Sequence, residues 1–116
     1  MEQLEIPIFK KTYDLYKTYY SFRLSVPRLD RFTLWQRGEN MTLELLESII
    51  EASELSREEK LPILRQASVR LNFLRVFLRL TKDVKAIDTK KYILLEEMVD
   101  EIGRMLGGWI KSTKDR

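Results

Sequence analysis

The sequence predicts an all-α chain, an up-down antiparallel four-helix bundle. Three observations predict it. Four stretches carry apolar residues at helical spacing, only short polar joints separate them, and the last stretch holds an unbroken seam at 3,4,3,4,3 spacing. The chain has no repeats, low-complexity tract or interior linker, so residues 1–116 read as one domain. A chain of this length can bury roughly two-thirds of its unfolded surface without staples.

The first helix is expected over about residues 7–25. Pro7 suits a first turn and Pro27 stops the helix. Phe9, Tyr13, Tyr16 and Tyr20 form an aromatic stripe at 4,3,4 spacing, with Leu15, Tyr19 and Phe22 beside it. Such a stripe reads as core, with a few tyrosines free to place their hydroxyls at an interface.

The second helix is expected over about 29–53. Leu34, Met41, Leu45, Ile49 and Ala52 make one face, and Trp35, Leu46 and Ile50 extend it sideways. Glu44, Glu47 and Glu51 form the opposite stripe. At that spacing, with no histidine in the chain, they read as a solvated face rather than a metal or acid–base site.

The third helix is expected over about 57–84. Ser56-Arg57-Glu58-Glu59 is a capping box, in which serine and Glu59 each satisfy an orphan backbone donor. Pro62 falls in the second turn and removes one hydrogen bond, so a kink or a later regular start is expected. Arg65, Ser68, Asn72, Arg75, Arg79 and Lys82 recur at 3,4,3,4,3 and form one polar stripe. Around it Phe73, Leu74, Val76, Phe77, Leu78 and Leu80 cover an arc of roughly 200° at about 100° per residue. A helix with one core to face needs about half that width. A second surface is therefore implied, for a partner protein, a subunit copy or a nucleic acid.

The fourth helix is expected over about 89–112, capped by Asp88 or Thr89. Tyr92, Leu95, Val99, Ile102, Leu106 and Trp109 form its seam, with Glu96, Glu97, Asp100 and Arg104 opposite. Gly103 and Gly107 stand at the seam's edge. Glycine costs about 1 kcal/mol inside a helix, so close helix packing is the expected reason for them.

Charge is arranged along the chain more sharply than the net +3 conveys. Glu39 to Glu59 holds seven acids against one base, and Lys60 to Lys91 nine bases against two acids. Either neighbouring helices neutralise each other, or the basic face meets phosphates or an acidic protein. Arg65, Arg75, Arg79 and Lys82, with Arg104 and Lys111, are the candidate binding cations. Trp35, Ile50, Phe73, Phe77 and Leu80 are the candidate oligomer interface. Wide apolar arcs of this kind predict a cyclic homo-oligomer, since head-to-tail contacts close into rings.

Cysteine and histidine are both absent, which removes thiolate nucleophiles, disulfides, thiolate zinc sites and the commonest general base. No catalytic residue, cofactor or metal is expected. No run of about 18 apolar residues occurs, and the acidic N-terminus is unlike a signal peptide. The expectation is a soluble cytoplasmic protein without a membrane partner.

Three blocks carry a resemblance. They are RFTLWQRGENMTLELLESIIEA (Arg31 to Ala52) after Pro27, FLRVFLRL (Phe73 to Leu80) and DEIGRMLGGWIKS (Asp100 to Ser112). Together they resemble the accessory variability determinant, Avd, of diversity-generating retroelements and its bacterial Avd-like relatives. The likeness runs from about Tyr13 to Ser112, and its most specific part is the pattern of Ile102, Gly103, Arg104, Leu106, Gly107 and Trp109. It implies a four-helix bundle assembled as a basic homopentameric barrel, with reverse transcriptase and template RNA (or DNA) as partners. The related bundle proteins encoded in ribosomal RNA intervening sequences share the fold. Their N-I-A-E-G signature is missing here, where the chain reads ENMTLELLESIIEA, and this favours the retroelement branch. An oligomeric scaffold or adaptor without a nucleic-acid role is the alternative.

Overall fold

The computed structural model describes residues 6–114; residues 1–5, part of the acidic N-terminus read above, lie outside it. Its helices are α1 (Pro7–Ser21), a 3-10 turn at Arg23–Ser25, α2 (Arg28–Arg31), α3 (Leu34–Glu54), α4 (Arg57–Asp83) and α5 (Thr89–Lys114). α5 alone has 26 residues, about 39 Å at 1.5 Å per residue. The longest dimension of the described residues is 47 Å, so successive long helices must reverse direction. They pack in a square in which α1 touches α3 and α5, and α4 touches α3 and α5.

Local chemistry sets most boundaries. Pro7 opens α1, where its missing N–H would have had no intrahelical partner. The Ser56 side chain accepts from the Glu59 N–H at 3.3 Å, which is the first half of the expected box; the Glu59 carboxylate accepts from the Ser56 hydroxyl at 2.7 Å, where the box would have it accept from the Ser56 N–H. Asp88, rather than Thr89, caps α5 by accepting from the Lys91 N–H at 2.8 Å. α4 runs on through Pro62 without a later start. Pro62 and Glu58 are both exposed, so water can satisfy the Glu58 carbonyl that lost its donor. At the end of α4, Ala86 N–H reaches the Thr81 carbonyl (3.0 Å) and Lys85 N–H the Lys82 carbonyl (2.9 Å). That is a Schellman closure, with Lys85 in the left-handed region at φ 66°.

Two expectations are corrected here. The helix expected over 29–53 is split, because Thr33 leaves the helical region (φ −120°, ψ −92°) and its hydroxyl bonds back to the Leu29 carbonyl. Leu29 and Phe32 stay exposed, so no burial holds the first turn in line with α3. The first helix likewise stops at Ser21 and reaches Ser25 only as a 3-10 turn.

The core is four seams of similar spacing. They comprise Ile8, Thr12, Leu15 and Tyr19 on α1; Trp35, Gly38, Thr42, Leu45, Ile49 and Ala52 on α3; Leu64, Ala67, Leu71, Leu74, Leu78 and Thr81 on α4; and Leu95, Val99, Ile102 and Leu106 on α5. The expected aromatic stripe of α1 is not the core face. Phe9 is buried, but Tyr13 and Tyr20 are exposed and Tyr16 is half-buried. The true seam passes through Thr12, whose hydroxyl donates to the Ile8 carbonyl at 2.8 Å. Thr42 and Thr81 are buried in the same way, each bonded to a carbonyl of its own helix. A threonine satisfied locally can be buried at little cost.

Candidate interaction surfaces

The outer face of α4 lies opposite its core seam and should be polar in a monomer. Instead Val69, Phe73, Val76 and Leu80 stand there at 4,3,4 spacing, and are 69%, 50%, 63% and 48% exposed. This is a second, unpartnered seam on a helix that already has a core to face. Of the five residues expected at an interface, Phe73 and Leu80 belong to it. Ile50 is half-buried and packs against the core. Trp35 and Phe77 are corrected: both are buried in the protomer and have no surface to offer. Val69 was missed, and Val76, counted in the wide arc, was not named for the interface, although the same 4,3,4 spacing is visible in the sequence once the inner seam from Leu64 to Thr81 is assigned.

The expected cations follow a different line. Arg65, Arg79, Arg104 and Lys111 are exposed on α4 and α5, whereas Arg75 and Lys82 are half-buried. The α4 row faces α5 rather than the acidic α3. Arg75 lies 3.5 Å from the Asp100 carboxylate, and the Lys82 ammonium sits 4.7 Å from the centre of the Tyr92 ring. The Tyr92 hydroxyl donates to Glu96, which raises its pKa, while the charge of Arg79 pulls the other way. Arg65 shares a concavity with Thr113 and Lys114 near the end of α5. Among the described residues, none of Arg65, Arg75, Arg79 and Lys82 forms an ion pair with Glu44, Glu47 or Glu51. The α4 cation that does reach α3 is Arg70, which donates to the Ser48 hydroxyl at 3.0 Å and the Glu44 carbonyl at 3.5 Å.

The two glycines of α5 divide. A Cβ at Gly103 would collide with the Arg75 guanidinium and come within 3.4 Å of Leu71, so this glycine gives Arg75 its path across α5 to Asp100. Gly107 is corrected. A Cβ there would meet nothing within 4 Å, and close packing inside the protomer does not account for it.

The pattern from Ile102 to Trp109 thus sits on an α5 that is half seam and half open surface. The family model for bAvd-like proteins matches residues 7–113, from the first residue of α1 nearly to the end of α5. The chain belongs to the bAvd-like family. No curated protein matches it.

Two further features of this bAvd-like chain were outside the sequence reading. The first is a buried knot between α1 and α3. Tyr19 stacks on Trp35 with ring centres 3.8 Å apart and planes 6° from parallel, and its hydroxyl donates to the Trp35 carbonyl at 2.9 Å. Burial pushes the pKa of that hydroxyl up, against the pull of Arg23. Gly38 makes the stack possible, since a Cβ there would fall 2.5 Å from Tyr19 Cζ and 3.0 Å from Phe77. Beside the stack, Glu39 is 4% exposed and forms an ion pair with Arg23, which also donates to Gln36 at 3.2 Å. The Arg23 guanidinium lies under the Phe32 ring, 5.5 Å from its centre.

The second is a cleft of about 390 Å³ between α3 and α4, lined by Arg37, Asn40, Met41, Glu44, Arg70 and Phe73. Among the described residues, no helix is long and apolar enough to cross a membrane.

Proposed function

We propose that this protein is a non-catalytic accessory subunit of a diversity-generating retroelement. In this reading it forms a homopentameric ring that engages the reverse transcriptase and template RNA. The carrying observation is the bare seam of Val69, Phe73, Val76 and Leu80 beside a cation row, in a chain of the bAvd-like family. Each buried Å² of such a surface contributes about 25 cal/mol, and a linear seam on a helix suits another helix. A heterologous contact repeated head to tail closes into a ring. Arg65, Arg79, Arg104 and Lys111 are then copied around it, and weak attraction per subunit becomes strong through repetition.

Light scattering after gel filtration tests the assembly. The expected mass is about 70 kDa, five copies of 13.9 kDa. Val76→Asp should return it to single protomers with helicity intact. RNA affinity should fall steeply with salt, because each neutralised phosphate releases counterion. Reversing Arg65 and Arg79 to glutamate should remove RNA binding and leave the ring unchanged; Arg75 is avoided because it pairs with Asp100. A wild-type monomer would overturn the ring.

A scaffold or adaptor without a nucleic-acid role is the second reading. It is favoured by Glu96, Glu97 and Asp100 on the same helix as Arg104 and Lys111, and by a net charge of only +3. A wild-type ring that does not bind RNA would make this second reading stand; a double reversal that keeps both ring and RNA affinity would remove Arg65 and Arg79 from the nucleic-acid contact.

A further inference from the structure

The cleft between α3 and α4 lies on the other side of α4 from the cation row. It shares Phe73 with the bare seam of α4, so a subunit seated over Phe73 and a ligand in the cleft compete for one ring. Its volume of about 390 Å³ sits in the lower part of the range for small-molecule sites, about 300–1,000 Å³. The charges around it are open. Among the described residues, Arg37, Arg70 and the Glu44 carboxylate take part in no ion pair, although all three line one concavity. Arg70 is held in place by the Ser48 hydroxyl and the Glu44 carbonyl. Phe73 is 50% exposed and forms an apolar wall with Met41.

We infer that this cleft binds a guanine nucleotide. Two guanidiniums from different helices suit a phosphate monoester, which carries roughly −1.5 to −2 charges near neutral pH. A half-exposed phenylalanine ring suits the face of a base. Glu44 decides which base. A carboxylate only accepts hydrogen bonds, so it pairs best with an edge that offers two adjacent donors. Guanine presents N1–H beside its 2-amino group. Adenine and cytosine each place one amino donor next to an acceptor, and uracil has one N–H between two acceptors. Asn40, with both donor and acceptor, stands beside these groups and can bridge to the sugar or base.

Calorimetric titration of the full-length Val76→Asp chain, which leaves Phe73 uncovered, with GMP, AMP and guanosine tests this. GMP should bind about tenfold or more tighter than AMP, and guanosine more weakly than GMP. Glu44→Gln should erase the preference for GMP over AMP without loss of helicity, because Glu44 is exposed. Arg70→Gln should weaken both nucleotides about tenfold. Arg37→Gln, at an exposed position, should do the same and serves if the Arg70 variant fails to fold. No GMP binding at millimolar concentration, equal affinity for GMP and AMP, or an unchanged preference in Glu44→Gln would each overturn the inference. Reversal of Arg65 and Arg79 should leave GMP binding untouched, so the RNA reading and this one fail separately.

Discussion

The knot between α1 and α3 and the outer face of α4 are both rich in large apolar side chains, and they have opposite fates. In the knot the large groups pack on one another, although the buried Trp35 Nε1 and Arg23 Nε find no hydrogen-bond partner among the described residues. Tyr19 lies flat on Trp35, its hydroxyl reaches a carbonyl, Gly38 makes room, and Arg23 meets Glu39. On α4, Val69, Phe73, Val76 and Leu80 face outward with nothing over them. The difference teaches that the chain covers its large apolar groups at one end and leaves them bare along one helix. A defect in the knot should therefore appear as lost folding stability, and a defect in the stripe as lost assembly with folding intact.

The sharpest way to break that contrast is Arg23→Ala. It leaves Glu39, 4% exposed, as a buried carboxylate with its charge unpaired and only the Tyr16 hydroxyl, 3.5 Å away, to answer it. The expected loss is about 3–5 kcal/mol, read by chemical denaturation under conditions where any assembly is dissociated. A loss below about 0.5 kcal/mol, the ordinary surface value, would mean that the pair is solvated and the knot no more complete than the stripe.

Two glycines provide a smaller and paired test. Gly38→Ala must displace the Tyr19 ring and should destabilise by about 1–3 kcal/mol. Gly107→Ala meets open space and should stabilise the protomer by about 1 kcal/mol through helix propensity alone. The pair separates protomer from assembly. If Gly107→Ala stabilises the protomer yet lowers the assembled mass, that glycine belongs to a subunit contact.

The smallest effect concerns the start of α5. The Asp88 carboxyl is held below its ordinary pKa of 3.8, first by the Lys91 backbone N–H and then by the Lys91 ammonium. A lowered folded-state pKa means that the cap's contribution is fully present above the unfolded value. It is lost as pH falls through the folded one. Melting temperature should therefore decline on the acid side partly through Asp88, and Asp88→Asn should make that limb shallower. An unchanged acid limb would place the pH sensitivity elsewhere.

Legibility varied between helices for a single physical reason. On α5 the apolar seam from Tyr92 to Trp109 coincides with the buried face, because every position on it is apolar. The caps at Ser56 and Asp88 were legible because they are local, made within one turn. On α1 and α3 the buried seams run through Thr12, Gly38 and Thr42, which apolar spacing does not count. The pattern was then drawn to neighbouring positions such as Tyr13, Tyr20 and Leu34. Glu39 entered the sequence reading only as one of the acids in the charge count, since nothing in its neighbourhood along the chain announces Arg23, sixteen residues away.

By itself the sequence determined the four long helices, their caps and short joints, the membership implied by the Arg31–Ala52, Phe73–Leu80 and Asp100–Ser112 blocks, and an excess of apolar surface on α4. These follow from periodicity and from interactions within about one helical turn. Tertiary structure decided which excess residues are core, as Trp35 and Phe77 are, and which are bare, as Val69 and Val76 are. It also turned Arg75 and Lys82 toward Asp100 and Tyr92 rather than toward Glu44, and it opened the cleft between α3 and α4. Those outcomes depend on how each helix is rotated about its own axis. That rotation is set by the fit of all four helices at once, and a glycine or a threonine on one helix can shift the solution by a full residue.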